Sequence, residues 1–292
     1  MDLIQNLLFV IGVLLLGSVF SFVVGQAQFV YGMPFFFVLL CISFLLHWIV
    51  FVPSYFFRTE RFYDITGTLA YLTLLVVSII FLNLLSENPI KLRSIVITSM
   101  VAVWSVRLGI YLFIRILNEG EDKRFREIKV SFSKFLLSWS MSAFWVFMTS
   151  INAIAAITQN STHSDDLFFY AGTLFWITGF SFEVIADEQK RRFKSNPLNQ
   201  GKFITEGLWG FSRHPNYLGE ILLWTGIAII SIPALEGWLV LTLVSPIFVY
   251  LLINYISGVN LLEHRADEKW GMLKEYQKYK KKTPVLFPFF FQ

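Results

Sequence analysis

The sequence predicts an all-α, polytopic membrane bundle of seven to eight transmembrane helices with both termini cytoplasmic. Three observations carry this expectation. Of 292 residues, 55% are hydrophobic and only 15% charged, where a soluble domain carries about 25% charged residues. The mean hydropathy is +0.61. The 32 Phe and 9 Trp exceed what one soluble core of this length would bury. A soluble globular enzyme, a disordered chain, a collagen and a disulfide scaffold are thereby excluded. Cys41 has no partner within the chain and leaves the redox compartment open.

The elements follow in order. Leu3–Val24 has no basic residue before it and no A-x-A site after it, so it reads as a membrane helix, not a cleaved signal. Pro34–Phe57 and Ile65–Leu85 are separated only by the Arg58–Asp64 stretch. Ile95–Leu117, Phe132–Ile157 and Leu167–Ala186 come next. Pro215–Pro233 begins at a proline suited to a first helical turn, where its missing N–H would be unpaired anyway. It forms a hairpin with Trp238–Val259 across Ala234–Gly237. Each run has the roughly 17–25 residues that a bilayer core requires. There is no internal repeat. The chain reads as one membrane domain, with N-terminal helices over 1–90, a cofactor-lining core over 91–259 and a basic cytoplasmic tail over 260–292.

Charge gives the orientation. With the N-terminus inside, every Lys and Arg except Lys91, Arg93, Arg107 and Arg115 falls in the inside segments or the tail, as the positive-inside rule requires. The expected location is therefore a multi-pass inner or endoplasmic reticulum membrane, with the active site facing the cytoplasm. An Asn-Ser-Thr sequon at Asn160 falls outside, a match too short to carry weight.

Ionisable residues inside spans are costly and mark cavities or partners. Trp104, Arg107, Tyr111 and Arg115 share one helical face. Arg107 is either half of a structural ion pair or a cation facing a ligand pocket. Glu183, Asp187, Arg191 and Lys194 form a stripe, acids at the membrane end and bases at the water end. An i,i+4 pair suits Arg191 with Asp187 but leaves Glu183 at membrane depth. The densest signal is Gly207–Glu220. Arg213 and His214 precede a helix N-terminus able to hold an anion, and Asn216 and Glu220 share a face beside Tyr217 and Trp224. The plain alternative is a helix cap with a snorkelling Arg. The tail interleaves bases with Trp270, Tyr276 and Tyr279. It would attract anionic lipid head groups, or Glu263, His264, Arg265, Tyr276 and Tyr279 would close over a phosphate-bearing ligand. Nucleic acid does not suit a tail beside a membrane span.

Several chemistries find no motif. There is no G-x-G-x-x-G after a strand, no P-loop, no zinc spacing and no G-x-S-x-G. No metal is expected, and His47, His163, His214 and His264 are too few for a membrane desaturase di-iron site.

Gly207–Glu220, with Tyr276, Tyr279 and Pro288, resembles the C-terminal half of the steroid 5-alpha-reductase family, in its bacterial membrane-protein branch. The likeness reaches back more weakly to Asp64-Ile-Thr-Gly and Arg107-Leu-Gly-Ile-Tyr, about three-quarters of the chain. It implies NADPH-dependent reduction of an enone C=C bond in a steroid-like or other lipid. Cofactor would enter from the cytoplasm and the lipophilic substrate from the bilayer, with membrane lipids as surroundings and no obligate protein partner. Asn216 and Glu220 match the family's Asn…Gly-Glu pair. Asp187, Arg191 and Lys194 match its Asp-x3-Arg-x2-Arg run, with Lys for the last Arg, and Arg107 matches a cofactor-side Arg. Glu183, Arg213, His214, Tyr217, His264, Arg265 and Tyr276 complete the expected cofactor site. The family's catalytic Tyr position is Trp104 here, so Tyr111, or else Tyr63, is expected as the phenol and Asp64 as the acid. Sterol C14-reductases and isoprenylcysteine carboxyl methyltransferases share the Arg-His-Pro-x-Tyr core. The latter bind S-adenosylmethionine and have paired Glu residues where this chain has Glu263-His264. A lipid methyltransferase and a non-catalytic membrane scaffold or lipid-binding protein are thus the alternatives.

Overall fold

The computed structural model describes residues 3–85, 88–161 and 166–287. Thr162 of the sequon, His163 and Pro288 lie outside them. The fold is an all-α polytopic bundle in which, among the described residues, eight helical stretches are long and apolar enough to cross a membrane. The helices are α1 (Leu3–Val24), α2 (Phe35–Phe56), α3 (Tyr63–Leu85), α4 (Leu92–Glu119), α5 (Phe132–Gln159), α6 (Leu167–Ser195), α7 (Pro215–Ser231), α8 (Val244–Leu251), α9 (Val259–Trp270) and α10 (Lys274–Lys282). A two-residue hairpin, β1 (Phe29–Val30) and β2 (Met33–Pro34), joins α1 to α2. Its turn residues Tyr31 and Gly32 have φ of 49° and 81°, the double positive φ that tight hairpins use.

The first five predicted spans agree with α1–α5 to within a few residues. Two regions differ. α6 runs nine residues beyond Ala186; at 1.5 Å per residue it outreaches a bilayer core of about 30 Å, so the polar stretch after Asp187 is its projecting end. The eighth span is not one helix. It opens as a 3-10 turn over Gly237–Leu243, continues as α8, widens to a π turn over Leu252–Ser257 and breaks at Gly258 before α9.

The chain forms two compact units. One comprises Met1–Asp166 with Ser231–Ser245, the other Leu167–Ile230 with Pro246–Gln292. The expected grouping 1–90, 91–259 and 260–292 does not coincide with this division, because α4 and α5 pack on α1–α3. In the first unit α5 is the central post, touching α1, α2, α3 and α4. Its Ala143, Ser150, Ala153, Ala155 and Ala156 are buried small residues, which let neighbouring backbones come close where lipid supplies no hydrophobic drive. Polar pairs set the rotation of the helices. Asn6 Nδ2 donates to Ser133 Oγ (3.0 Å), Ser43 Oγ to the Ala143 carbonyl (2.8 Å) and Trp48 Nε1 to Ser140 Oγ (3.0 Å). Arg93 is wholly buried and reaches Asp166 at 2.6 Å.

Candidate functional site

In the second unit α6 and α7 run antiparallel with their backbones touching. Gly172 faces Gly226 and Gly179 faces Gly219. A Cβ at Gly172 would lie 2.5 Å from the Gly226 carbonyl oxygen, and one at Gly179 would lie 2.5 Å from that of Gly219. Seven-residue spacing keeps both glycines of each helix on one face. The sequence carries this signal, yet the paired spacing becomes meaningful only when the two helices are seen to face each other.

Beyond the second crossing the same faces carry Glu183 and Asp187 on α6 and Asn216 and Glu220 on α7. The three carboxylates are 3%, 5% and 8% exposed, so they are buried together. Glu183 and Asp187 are the charges that act on Glu220, and Asn216 Nδ2 donates to Asp187 Oδ1 at 3.3 Å. Four expected cofactor residues are therefore brought to one place. Among the described residues no set of His, Cys, Asp or Glu is arranged to hold a metal ion.

The 203–214 loop and the tail build the rest. The Trp209 indole N–H donates to the Ala186 carbonyl (3.0 Å), and Lys190 Nζ lies 4.6 Å over the Trp209 ring. Gly207 has φ +59° and closes on Gln189, a conformation and an approach that L side chains resist. The tail is tied to this loop by its backbone: the Arg213 N–H donates to the Pro284 carbonyl (2.9 Å) and Ser212 Oγ to that of Val285 (3.2 Å). Tyr279 Oη donates to the Trp209 carbonyl (2.7 Å), and Phe203 packs against Trp270, Tyr276 and Tyr279. Burial pushes the Tyr276 phenol well above its usual range and that of Tyr279 up to about 12, so both remain neutral donors.

Glu263 is the hub of the charged cluster. His214 Nε2 lies 2.8 Å from Glu263 Oε1, and the Arg213 guanidinium binds Oε2. Lys280 Nζ stands 3.7 Å from Glu263 and 2.7 Å from Asp267, to which Tyr276 Oη also donates (3.2 Å). Burial lowers the His214 pKa below its ordinary value, against the Glu263 bond that raises it. The His214 ring lies nearly parallel to Tyr217, 5.8 Å between centroids. The buried Nε of Arg213 has no hydrogen-bond partner among the described residues.

One expectation is corrected here. His264 and Arg265 do not join Arg213; both are exposed on α9, with His264 Nδ1 3.4 Å from Glu268. The helical period explains it: Glu263 faces Arg213 and His214, and the next two positions on α9 rotate away from them. Arg191 forks Glu188, at 2.7 and 2.8 Å, and Arg191 and Lys194 are exposed on the projecting end of α6.

Asp64, Tyr111 and Arg107 belong to the first unit. Asp64, in the first turn of α3, is faced by Arg124 and Arg115. The Arg107 guanidinium lies 5.1 Å over the Tyr111 ring. Trp104, at the family's Tyr position, is buried edge-on against Tyr71. Tyr63 Oη donates to the Ser138 carbonyl (2.9 Å).

Comparison with known proteins completes the description. Over 60 residues, 20% of this chain, the sequence is 35% identical to the probable O-methyltransferase ustE of Ustilaginoidea virens, and the match spans 21% of that protein's length. No solved structure matches. The family described as protein of unknown function DUF1295 matches residues 48–283, which take in α3–α10 whole together with the hub of Arg213, His214 and Glu263; the chain belongs to the DUF1295 family.

Proposed function

We propose that this protein is a membrane-embedded, NADPH-dependent reductase of an electron-poor C=C bond in a lipid-like substrate. The observation that carries the reading is the pairing of chemistries in the second unit. Three buried carboxylates with Asn216 lie on the α6–α7 crossing, and Arg213, with a buried Nε lacking an acceptor, leads into α7. A phosphorylated dinucleotide needs both kinds of group. Asn216, Asp187, Glu183 and Glu220 would accept its amide and ribose hydrogens, and Arg213 with Lys190, Arg191 and Lys194 would hold its phosphates. Bound NADPH supplies a hydride. Within the protein, Arg191 would leave Glu188 to reach a phosphate, and Glu263 would hold His214 and Arg213 in place. A general acid at the substrate would supply the proton that completes reduction. The DUF1295 family is steroid 5-alpha-reductase-like, which supports the same reading.

A second reading is favoured by a specific observation. The ustE match and a site rich in carboxylates suit S-adenosylmethionine, whose sulfonium and ammonium groups are cations. The test is thermal unfolding of the detergent-solubilised protein with NADPH, NADH or S-adenosylmethionine. At one hundred times its dissociation constant the right ligand adds about 2.7 kcal/mol. NADPH should shift melting more than NADH, because its extra phosphate meets a basic cluster. A shift with S-adenosylmethionine alone transfers the case to a methyltransferase, and no shift with any of them favours a non-catalytic lipid-binding protein.

A further inference from the structure

We propose that the turn between α2 and α3 binds the phosphate of an anionic membrane phospholipid. The turn surrounds a cavity of about 460 Å³ lined by Arg58, Arg61, Glu60, Lys129, Phe57 and Phe62, among others. Its charges are sorted. Glu60, the acid lying between the two arginines in sequence, is buried and already engaged: its Oε2 takes Lys129 Nζ at 2.7 Å and its Oε1 the Asp122 N–H at 2.8 Å. Arg58 and Arg61 are exposed, and among the described residues neither guanidinium has an acid or any other hydrogen-bond acceptor. The site therefore presents two unneutralised, fork-shaped donors, the geometry that suits phosphate oxygens.

The surroundings select a lipid over a soluble anion. Phe56, Phe57 and Phe62 are 76%, 80% and 48% exposed beside the arginines. The turn joins two helices that are each long and apolar enough to span the bilayer, so it lies where head groups meet acyl chains. Aromatic rings there would lie against the glycerol and upper acyl region as the guanidinium groups reach the phosphate. The loop is preformed. Arg58 ends α2 in the left-handed region with φ 47°, the Thr59 N–H donates to the Ser54 carbonyl at 2.9 Å and the Tyr63 N–H to that of Glu60 at 2.9 Å. The end of α2 and the start of α3 contribute dipoles of opposite sign to the turn, so the arginines decide its potential.

The test uses the full chain in detergent, with native mass spectrometry of retained phosphatidylglycerol and phosphatidylcholine at equal concentrations. Wild type should retain phosphatidylglycerol in preference. Arg58→Gln/Arg61→Gln should lose on the order of thirtyfold of that preference, from about one basic-residue contribution per arginine, while its melting without lipid stays unchanged. Arg58→Lys/Arg61→Lys should keep part of it. Equal retention of both lipids by wild type, or an undiminished preference in the double Gln variant, overturns the proposal. Full displacement of phosphatidylglycerol by inorganic phosphate or glycerol 3-phosphate at matched concentration also overturns it, because the site would then read a soluble anion. Should the double variant fail to fold, Arg61→Gln alone, at the exposed end of the turn, serves for the same comparison.

Discussion

Gly219→Ala tests the α6–α7 crossing, because the new Cβ would meet backbone on the opposite helix and nothing there can rotate away. It would lie 2.5 Å from the Gly179 carbonyl oxygen and 2.6 Å from the Glu183 nitrogen, where ordinary contact begins at 3.4 Å. The helices must therefore part by about 1 Å, and overpacking of this kind costs about 1–3 kcal/mol. Alanine's better helix propensity offsets about 0.5–1 kcal/mol. The net expectation is a loss of up to about 2.5 kcal/mol, a fall of up to about 10 °C at about 2–4 °C per kcal/mol. The same displacement would stretch the Asn216–Asp187 bond beyond its 3.3 Å, so ligand-induced stabilisation should fall further than stability itself. Gly12→Ala is the control: its Cβ meets nothing within 4 Å, so propensity alone acts and melting should hold or rise. The assay is tryptophan-fluorescence melting of both variants with and without NADPH or S-adenosylmethionine. If Gly219→Ala melts as high as Gly12→Ala, the glycines are not a packing seam and the reasoning fails.

Three further outcomes are expected. Glu220→Gln removes one of three clustered charges, so melting without ligand should stay the same or rise while most ligand-induced stabilisation disappears; unfolding with ligand affinity retained would make Glu220 structural. Burial holds His214 neutral, below its ordinary pKa of 6.5, so the unfolded chain binds the proton first as pH falls. Its contribution is complete above about pH 7 and declines as pH falls below 6.5, and His214→Gln should flatten the melting-versus-pH curve on that acid side; an unchanged slope would show that other groups set the acid limb. Arg93→Ala empties a fully buried site and leaves Asp166, 30% exposed, without this partner, so it should cost about 1–3 kcal/mol and reduce folded yield; wild-type yield and melting would show that the pair carries little stability.

How far each feature could be read from sequence follows from the range of the interaction that makes it. Transfer of an apolar run into hydrocarbon depends on composition over about twenty residues, so the sequence alone determined the all-α class and the bounds of α1–α5. Motif spacing within one helix is equally local, and Asp187, Asn216 and Glu220 could be named before any contact was known. Which side chains meet is another matter, since it depends on the rotation and register of helices distant in sequence. Tertiary structure alone decided that Glu263, not His264 or Arg265, closes on Arg213 and His214, because only the inward face of α9 reaches them. It alone gave two seven-residue glycine spacings their meaning, by setting α6 antiparallel to α7 with backbones touching. It also turned Arg93 from one more loop cation into a buried ion-pair partner, and left Arg58 and Arg61 unpaired by drawing Glu60 inward to Lys129 and Asp122, some sixty residues away in sequence.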